Sequence, residues 1–129
     1  MSKSKILIVD EDPKLSQLVA LILTRMGGYE VRQENRSFAA LATAREFLPD
    51  VILLDVDMPG KDGGVVAAEL HNDPVVGNTP VIFVTSLISR AEAGLRNGAR
   101  FLAKPVEPKL LLETIHGLCP RFKAEPQAV

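Results

Sequence analysis

Three observations predict an α/β fold with a doubly wound, mostly parallel sheet. Apolar runs of strand length alternate with helical patterns along the whole chain. Three of these runs, at residues 6–9, 51–54 and 81–84, are continuously apolar, as expected of strands covered on both faces. Each run then leads through turn signals into a helical pattern, not into a hairpin. Five strands and five helices in strict alternation are expected.

The first strand is expected over residues 5–10. Asp12 is placed to cap the following helix, with Pro13 in the first turn, where a missing N–H costs nothing. Leu15, Leu18, Val19, Ile22 and Met26 recur at helical spacing, and Gly27-Gly28 ends the run. Residues 29–33 read as a short second strand. Ser37 is set to cap a second helix, with Phe38, Leu41, Ala42 and Leu48 inward and Pro49 at its end. Residues 51–55 form the third strand, and after the Met58-Pro59-Gly60 turn residues 64–70 read as a third helix. Pro80 leads into the fourth strand, 81–85. Ser89 and Glu92 make a capping box for a short fourth helix reaching Asn97-Gly98. Residues 100–103 form the fifth strand. Pro108 opens the last helix, with Leu111, Leu112, Ile115 and Leu118 inward. Residues 119–129 are polar, contain proline and lack periodicity, so a flexible tail is expected after a domain spanning 3–118.

Composition narrows the function. A chain of 129 residues suits a single core, and 47% hydrophobic residues is too many for a disordered chain. With 15 basic and 16 acidic residues the net charge is −1, which argues against direct nucleic-acid binding. The apolar runs fall well short of the ~20 residues of a membrane-spanning helix, and residues 1–5 hold no apolar export signal. The single cysteine, Cys119, cannot form an internal disulfide, so a cytoplasmic setting is expected.

The chemistry is concentrated where strands end. The first strand runs into Asp10-Glu11-Asp12 and the third into Asp55-Val56-Asp57, while the fourth and fifth end in Thr85-Ser86 and Lys104-Pro105. In open α/β sheets ligands bind at the carboxyl ends of the strands. Several carboxylates at one edge repel unless a cation relieves them, and Mg2+ prefers such hard oxygen ligands. A carboxylate is also a nucleophile toward phosphorus, and the developing charge then needs an ammonium group and hydroxyl donors.

These motifs resemble the response-regulator receiver domain of two-component signal transduction. The matching pieces are Ile6-Leu-Ile-Val-Asp10-Glu11-Asp12-Pro13, Leu53-Leu-Asp55-Val-Asp57-Met58-Pro59, Val81-Ile-Phe-Val-Thr85-Ser86 and Gly98-Ala99-Arg-Phe101-Leu-Ala-Lys104-Pro105. They stand in family order over residues 3–118. The resemblance implies a flavodoxin-like sheet of strand order 2-1-3-4-5. It implies that Asp55 is the phosphoacceptor, taking phosphate from a sensor histidine kinase or a histidine phosphotransfer protein. It further implies that Asp10, Glu11, Asp55 and the backbone carbonyl of Asp57 hold Mg2+. Lys104 would pair with the phosphoryl group, Thr85 and Phe101 would form the switch, and Lys104-Pro105 would be a cis peptide. A downstream protein would read the result, and the chain is expected to act as a stand-alone receiver without membrane contact.

The sequence departs from the family pattern in three places. Glu11 is one methylene longer than an aspartate. Asp57 adds a carboxylate beside the acceptor, which either tunes hydrolysis or repels water. The stretch from Thr85 to Lys104 is short, so the fourth helix is expected to be short or displaced. Taken singly, Asp12 reads as a helix cap, Ser86 as a small residue leaving room for phosphate, and Phe101 as either a switch or a core aromatic. Two other classes remain: a receiver-like interaction module that is not phosphorylated, and a haloacid-dehalogenase-like phosphatase using Asp55 and Asp57.

Overall fold

The computed structural model describes residues 2–57, 63–86, 94–96, 99–120 and 122–123. Eight strands occur among them: β1 (Ser2–Lys3), β2 (Lys5–Val9), β3 (Glu30–Glu34), β4 (Val51–Asp55), β5 (Val81–Thr85), β6 (Gly94–Arg96), β7 (Ala99–Ala103) and β8 (Phe122–Lys123). The four α-helices of the described residues are α1 (Pro13–Leu21), α2 (Ala40–Phe47), α3 (Gly63–His71) and α4 (Pro108–Leu118). The main sheet has the order β3-β2-β4-β5-β7-β6. Its first five strands are parallel and reproduce the expected 2-1-3-4-5 order, while β6 adds an antiparallel edge.

Helices cover both faces of this sheet, so the central strands are apolar on both sides. Ile6, Ile8, Leu53, Ile82, Val84 and Leu102 pack against one layer, built from Val19 of α1, Leu23 just beyond it, and Leu111 and Ile115 of α4. Leu7, Val9, Ile52 and Leu54 pack against the other, built from Ala44 and Phe47 of α2 and Val66 and Leu70 of α3. The whole of β4 is buried, which accounts for its unbroken apolar sequence.

The Asp12 cap forms as expected, whereas Ser37 caps neither the 3-10 turn nor the helix that follows it. Asp12 accepts hydrogen bonds from the backbone N–H of Lys14 (3.0 Å) and Leu15 (3.3 Å). Glu107 caps α4 in the same way through the N–H groups of Lys109 and Leu110. The first helix does not stay α-helical to its end. Over Ile22–Met26 it widens into a π-helical turn. The Thr24 hydroxyl donates to the Ala20 carbonyl at 2.9 Å, and such a side-chain bond into the helical ladder loosens it. Gly28, with φ of 73°, then turns the chain into β3.

Several expected details differ. The buried positions of the first helical segment are Ser16, Val19, Ala20 and Leu23, whereas Leu18 and Met26 are exposed. In the second segment Ser37 lies within a 3-10 turn (Ser37–Ala39), and Phe38 and Leu48 face solvent in place of Ala40, Ala44 and Phe47. A helical stripe read on sequence tells period but not phase, and the shift to a 3-10 or π turn rotates the phase.

Two larger expectations need correction. Most of the fourth helix, with Ser89 and Glu92, lies outside the described residues, as do Asn97-Gly98 and the Met58-Pro59-Gly60 turn. Where that helix was expected to finish, Gly94–Arg96 is strand, paired antiparallel with β7. Gly94 has φ of 112°, which no right-handed helix accommodates, and the unpaired edge of β7 offers hydrogen bonds to an extended chain. The flexible tail also fails at Phe122–Lys123, which pair antiparallel with Ser2–Lys3. Cys119 is buried, and the Ser4 hydroxyl bonds the Pro120 carbonyl, so the chain leaving α4 is tied beside the N-terminal strand.

Ile52 is fully buried at the centre of β4. Replacing it with alanine removes buried methyl groups and leaves a cavity, and we expect urea denaturation to show a loss of about 2–5 kcal/mol.

Candidate functional site

Strand register brings the four expected strand ends to one edge. Val9 faces Leu54, Asp55 faces Val84 and Thr85 faces Ala103. The ladder continues just past the strands through the N–H groups of Asp10 (to Glu34 O, 3.1 Å), Val56 (to Val84 O, 3.1 Å) and Lys104 (to Thr85 O, 2.9 Å). Asp10, Asp55, Thr85 and Lys104 therefore stand on neighbouring strand ends. Gly63, the first residue of α3, lies so close to Val56 that a Cβ there would come within 2.7 Å of its Cα. Only glycine permits that approach behind the site. The Lys104-Pro105 peptide is cis, as expected.

Asp55 is buried and is held by two donors on one oxygen. Its Oδ1 lies 2.8 Å from Lys104 Nζ and accepts the Asp57 backbone N–H at 2.9 Å. The Asp57 carboxylate turns the other way. Its Oδ1 accepts the Thr85 hydroxyl at 2.7 Å, and its Oδ2 accepts the Ser86 N–H at 2.7 Å and the Ser86 hydroxyl at 2.9 Å. Lys104 Nζ is 3.5 Å from the same Oδ2. On the far side, Asp10 Oδ1 accepts the Asp12 N–H at 2.9 Å. The Asn35 amide donates to the Asp10 carbonyl at 2.7 Å and to the Ser16 hydroxyl at 2.9 Å, tying the Asp10-Glu11 turn to α1 and β3.

The electrostatics follow from this packing. An apolar cleft lined by Ile8, Leu15, Val19, Leu53, Val84 and Leu111 opens under Asp10 and Asp55. Burial there raises the Asp10 carboxyl to about 6; the Asp12 N–H opposes the rise, and the neighbouring Asp55 adds to it. Asp57 behaves oppositely. Burial pushes its carboxyl up, but the Ser86 N–H, the Thr85 and Ser86 hydroxyls and the Lys104 charge together hold it below the usual carboxylate range. Burial tends to lower the Lys104 ammonium, yet the bonded Asp55 carboxylate, with Asp10 and Asp57 nearby, holds it above its ordinary value.

Of the residues singled out on sequence, Asp10, Asp55, Asp57, Thr85 and Lys104 come together. Glu11 is half-buried, and among the described residues no three His, Cys, Asp or Glu side chains converge as a ready metal site. Phe101 is half-buried on β7 and stacks on Phe83, with ring centroids 5.1 Å apart. Two contributors were not legible. Ser86 looked like a mere spacer, whereas both its N–H and its hydroxyl bond Asp57. Asn35 carries no sequence signal; it matters because β3 ends beside β2, which is a tertiary fact.

The Asp10 shift has a definite sign. Its carboxyl is about 3.8 when exposed and about 6 when folded, so the folded protein loses stability as pH rises through that interval. In chelator, Asp10→Asn should gain about 1–2 kcal/mol at pH 7 after allowance for solvent screening. Denaturation at pH 7 and pH 4 checks this, with the gain vanishing at the lower pH.

Comparison with known proteins agrees with this fold. The family model of the response regulator receiver domain matches residues 6–116. The chain is 40% identical over 123 residues to the response regulator PleD of Caulobacter vibrioides, covering 93% of this chain and 27% of PleD, so it spans about a quarter of that relative's length. It is 36% identical over 118 residues to protein PilH of Pseudomonas aeruginosa, covering 89% of this chain and 97% of PilH. Among solved structures, the chemotaxis response regulator CheY4 of Vibrio cholerae superposes with a TM-score of 0.77 at 31% identity, covering 91% of this chain and 99% of that one. With its parallel sheet in 2-1-3-4-5 order and a receiver model matched over most of its length, the chain belongs to the response-regulator receiver-domain family of two-component signalling.

Proposed function

We propose that this receiver domain is a phospho-switch in which Asp55 accepts a phosphoryl group under Mg2+. The observation that carries this reading is the 2.8 Å contact of Lys104 Nζ with Asp55, a cation held over a buried carboxylate at the carboxyl edge of the sheet. In the proposed step an Asp55 oxygen attacks the phosphorus of a phosphohistidine on a sensor kinase or histidine phosphotransfer protein. The P–O bond forms as the P–N bond breaks, and the imidazole nitrogen keeps the electron pair. Because Lys104 and the Asp57 N–H both hold Oδ1, Oδ2 is assigned to the attack. Lys104 then neutralises charge gathering on the phosphoryl oxygens.

The donor set fits Mg2+ in kind. Asp10, Glu11 and Asp55 offer carboxylates and Asp57 offers its backbone carbonyl, all hard oxygens. Burial, with Asp55 adding to it, shifts the Asp10 carboxyl upward, and a divalent cation bound there would offset both. Bound there, the ion supplies charge neutralisation at the acceptor and at the transferred oxygens. Thr85 is assigned the hydroxyl that turns to the phosphoryl group, and Phe101 the aromatic that follows it. Phosphorylation then biases a two-state surface read by a downstream protein. Cytoplasm is the assigned compartment, consistent with a sequence that holds a single cysteine, Cys119. The domain is restored once per signalling cycle and is not a turnover enzyme.

Intact mass after incubation with acetyl phosphate and Mg2+ tests this. One phosphate should add to the wild type and none to Asp55→Asn or to wild type in chelator. Lys104→Ala should slow the addition roughly 10–100-fold. Phosphate still added to Asp55→Asn would sink the assignment.

A further inference from the structure

Both oxygens of the Asp57 carboxylate are held by donors from another strand end. An aspartate in a turn commonly bonds backbone two or three residues on, as Asp12 does with Lys14 and Leu15. Asp57 also bonds to Thr85 and Ser86, across the space between two strand ends, with three distances of 2.7, 2.7 and 2.9 Å. Bonds of that length to an ionised carboxylate are the strong, charge-assisted kind. Lys104, 3.5 Å away, leans toward the same oxygen while bonding Asp55. An anion therefore already sits among the hydroxyl, backbone N–H and ammonium donors at this edge.

These are the donors that a phosphoryl group on Asp55 requires. We propose that Asp57 is an internal stand-in for that group: its carboxylate occupies Thr85 and Ser86 in the unmodified domain and must release them when Asp55 is phosphorylated. The inference rests on the reading of Asp55 as acceptor and goes beyond it. The Thr85 hydroxyl and the Ser86 N–H have one proton each, so each donates either to Asp57 or to the phosphoryl oxygens, not to both, whereas the Ser86 hydroxyl serves Asp57 alone and turns to solvent on release. The two anions also repel, so occupancy by one disfavours the other. Phosphorylation is thereby opposed by a defined set of hydrogen bonds. Asp57 thus sets how much phosphodonor is needed to throw the switch.

Beryllium fluoride, a phosphoryl analogue, tests the idea in the full chain with Mg2+, followed by the Thr85 and Ser86 amide signals in a nitrogen-15 correlation spectrum. In the wild type both signals should move on saturation. Asp57→Ala should show both signals displaced before any analogue is added, and should half-saturate at about tenfold lower beryllium fluoride, the effect of losing a charge-assisted bond. Ser86→Ala keeps every charge and the backbone N–H but removes one bond to Asp57, and should half-saturate at roughly two- to threefold lower concentration. Mere charge repulsion predicts a gain for Asp57→Ala and none for Ser86→Ala. A folded Asp57→Ala that needs as much analogue as wild type, or a Ser86→Ala indistinguishable from wild type, overturns the stand-in role. If wild type binds and Asp55→Asn does not, the acceptor reading survives that failure. Binding by neither the wild type nor the two weakened variants overturns both.

Discussion

Three carboxylates, Asp10, Asp55 and Asp57, stand at the edge of an apolar sheet, and the Lys104 ammonium faces them from the end of β7. The site depends on this uneven balance of charge. Lys104 bonds Asp55 directly and reaches toward Asp57, while Asp10 is left on the far side with a carboxyl that holds its proton more tightly than an exposed one. Buried like charges are costly unless something relieves them, and each relief at this edge constrains a different element. The contact between Lys104 and Asp55 reaches across β5 from β7 to β4, so it exists only while three strands keep their register.

The two helical layers hold that register. A slip by one residue in β4 would exchange its faces, taking Leu53 out of the layer with α1 and α4 and Leu54 out of the layer with α2 and α3. It would also carry Asp55 away from Lys104. Core packing and site geometry are thus one constraint: the apolar residues fix where each strand ends, and the chemical groups sit one residue beyond. Close approach at Gly63 extends the same economy, since α3 begins directly against Val56.

Asp57 joins the buried half of the site to its exposed rim. Its backbone N–H supports Asp55 while its side chain gathers Thr85 and Ser86, so one residue holds the acceptor and the neighbouring strand end together. The relatives differ greatly in length, and this chain spans nearly all of PilH but about a quarter of PleD. The matched sequence thus occurs in proteins of different overall length.

Much of this was legible from residues alone. Continuous apolar runs at 51–54 and 81–84 marked buried parallel strands, and the groups that follow them marked the functional edge, because strand direction determines where side chains emerge. Asp12 and Pro13 marked a helix start through local chemistry, which needs no tertiary partner. The failures share a physical cause. Phe38 and Met26 read as core residues, but the 3-10 and π turns beside them rotate the helix faces. Gly94–Arg96 became a strand because β7 offered an open edge, and Phe122–Lys123 became one because the N-terminal strand lay alongside. By itself the sequence determined the order of the five parallel strands and the carboxylate, hydroxyl and ammonium groups that end them, since these follow from local pattern. Only the tertiary structure decided that Asp57 turns from Asp55 to Thr85 and Ser86, that Asn35 steadies Asp10, and that the chain's two ends pair. Those contacts join residues 25, 28, 29 or more positions apart, and no local preference specifies which distant donor a carboxylate or an edge will meet.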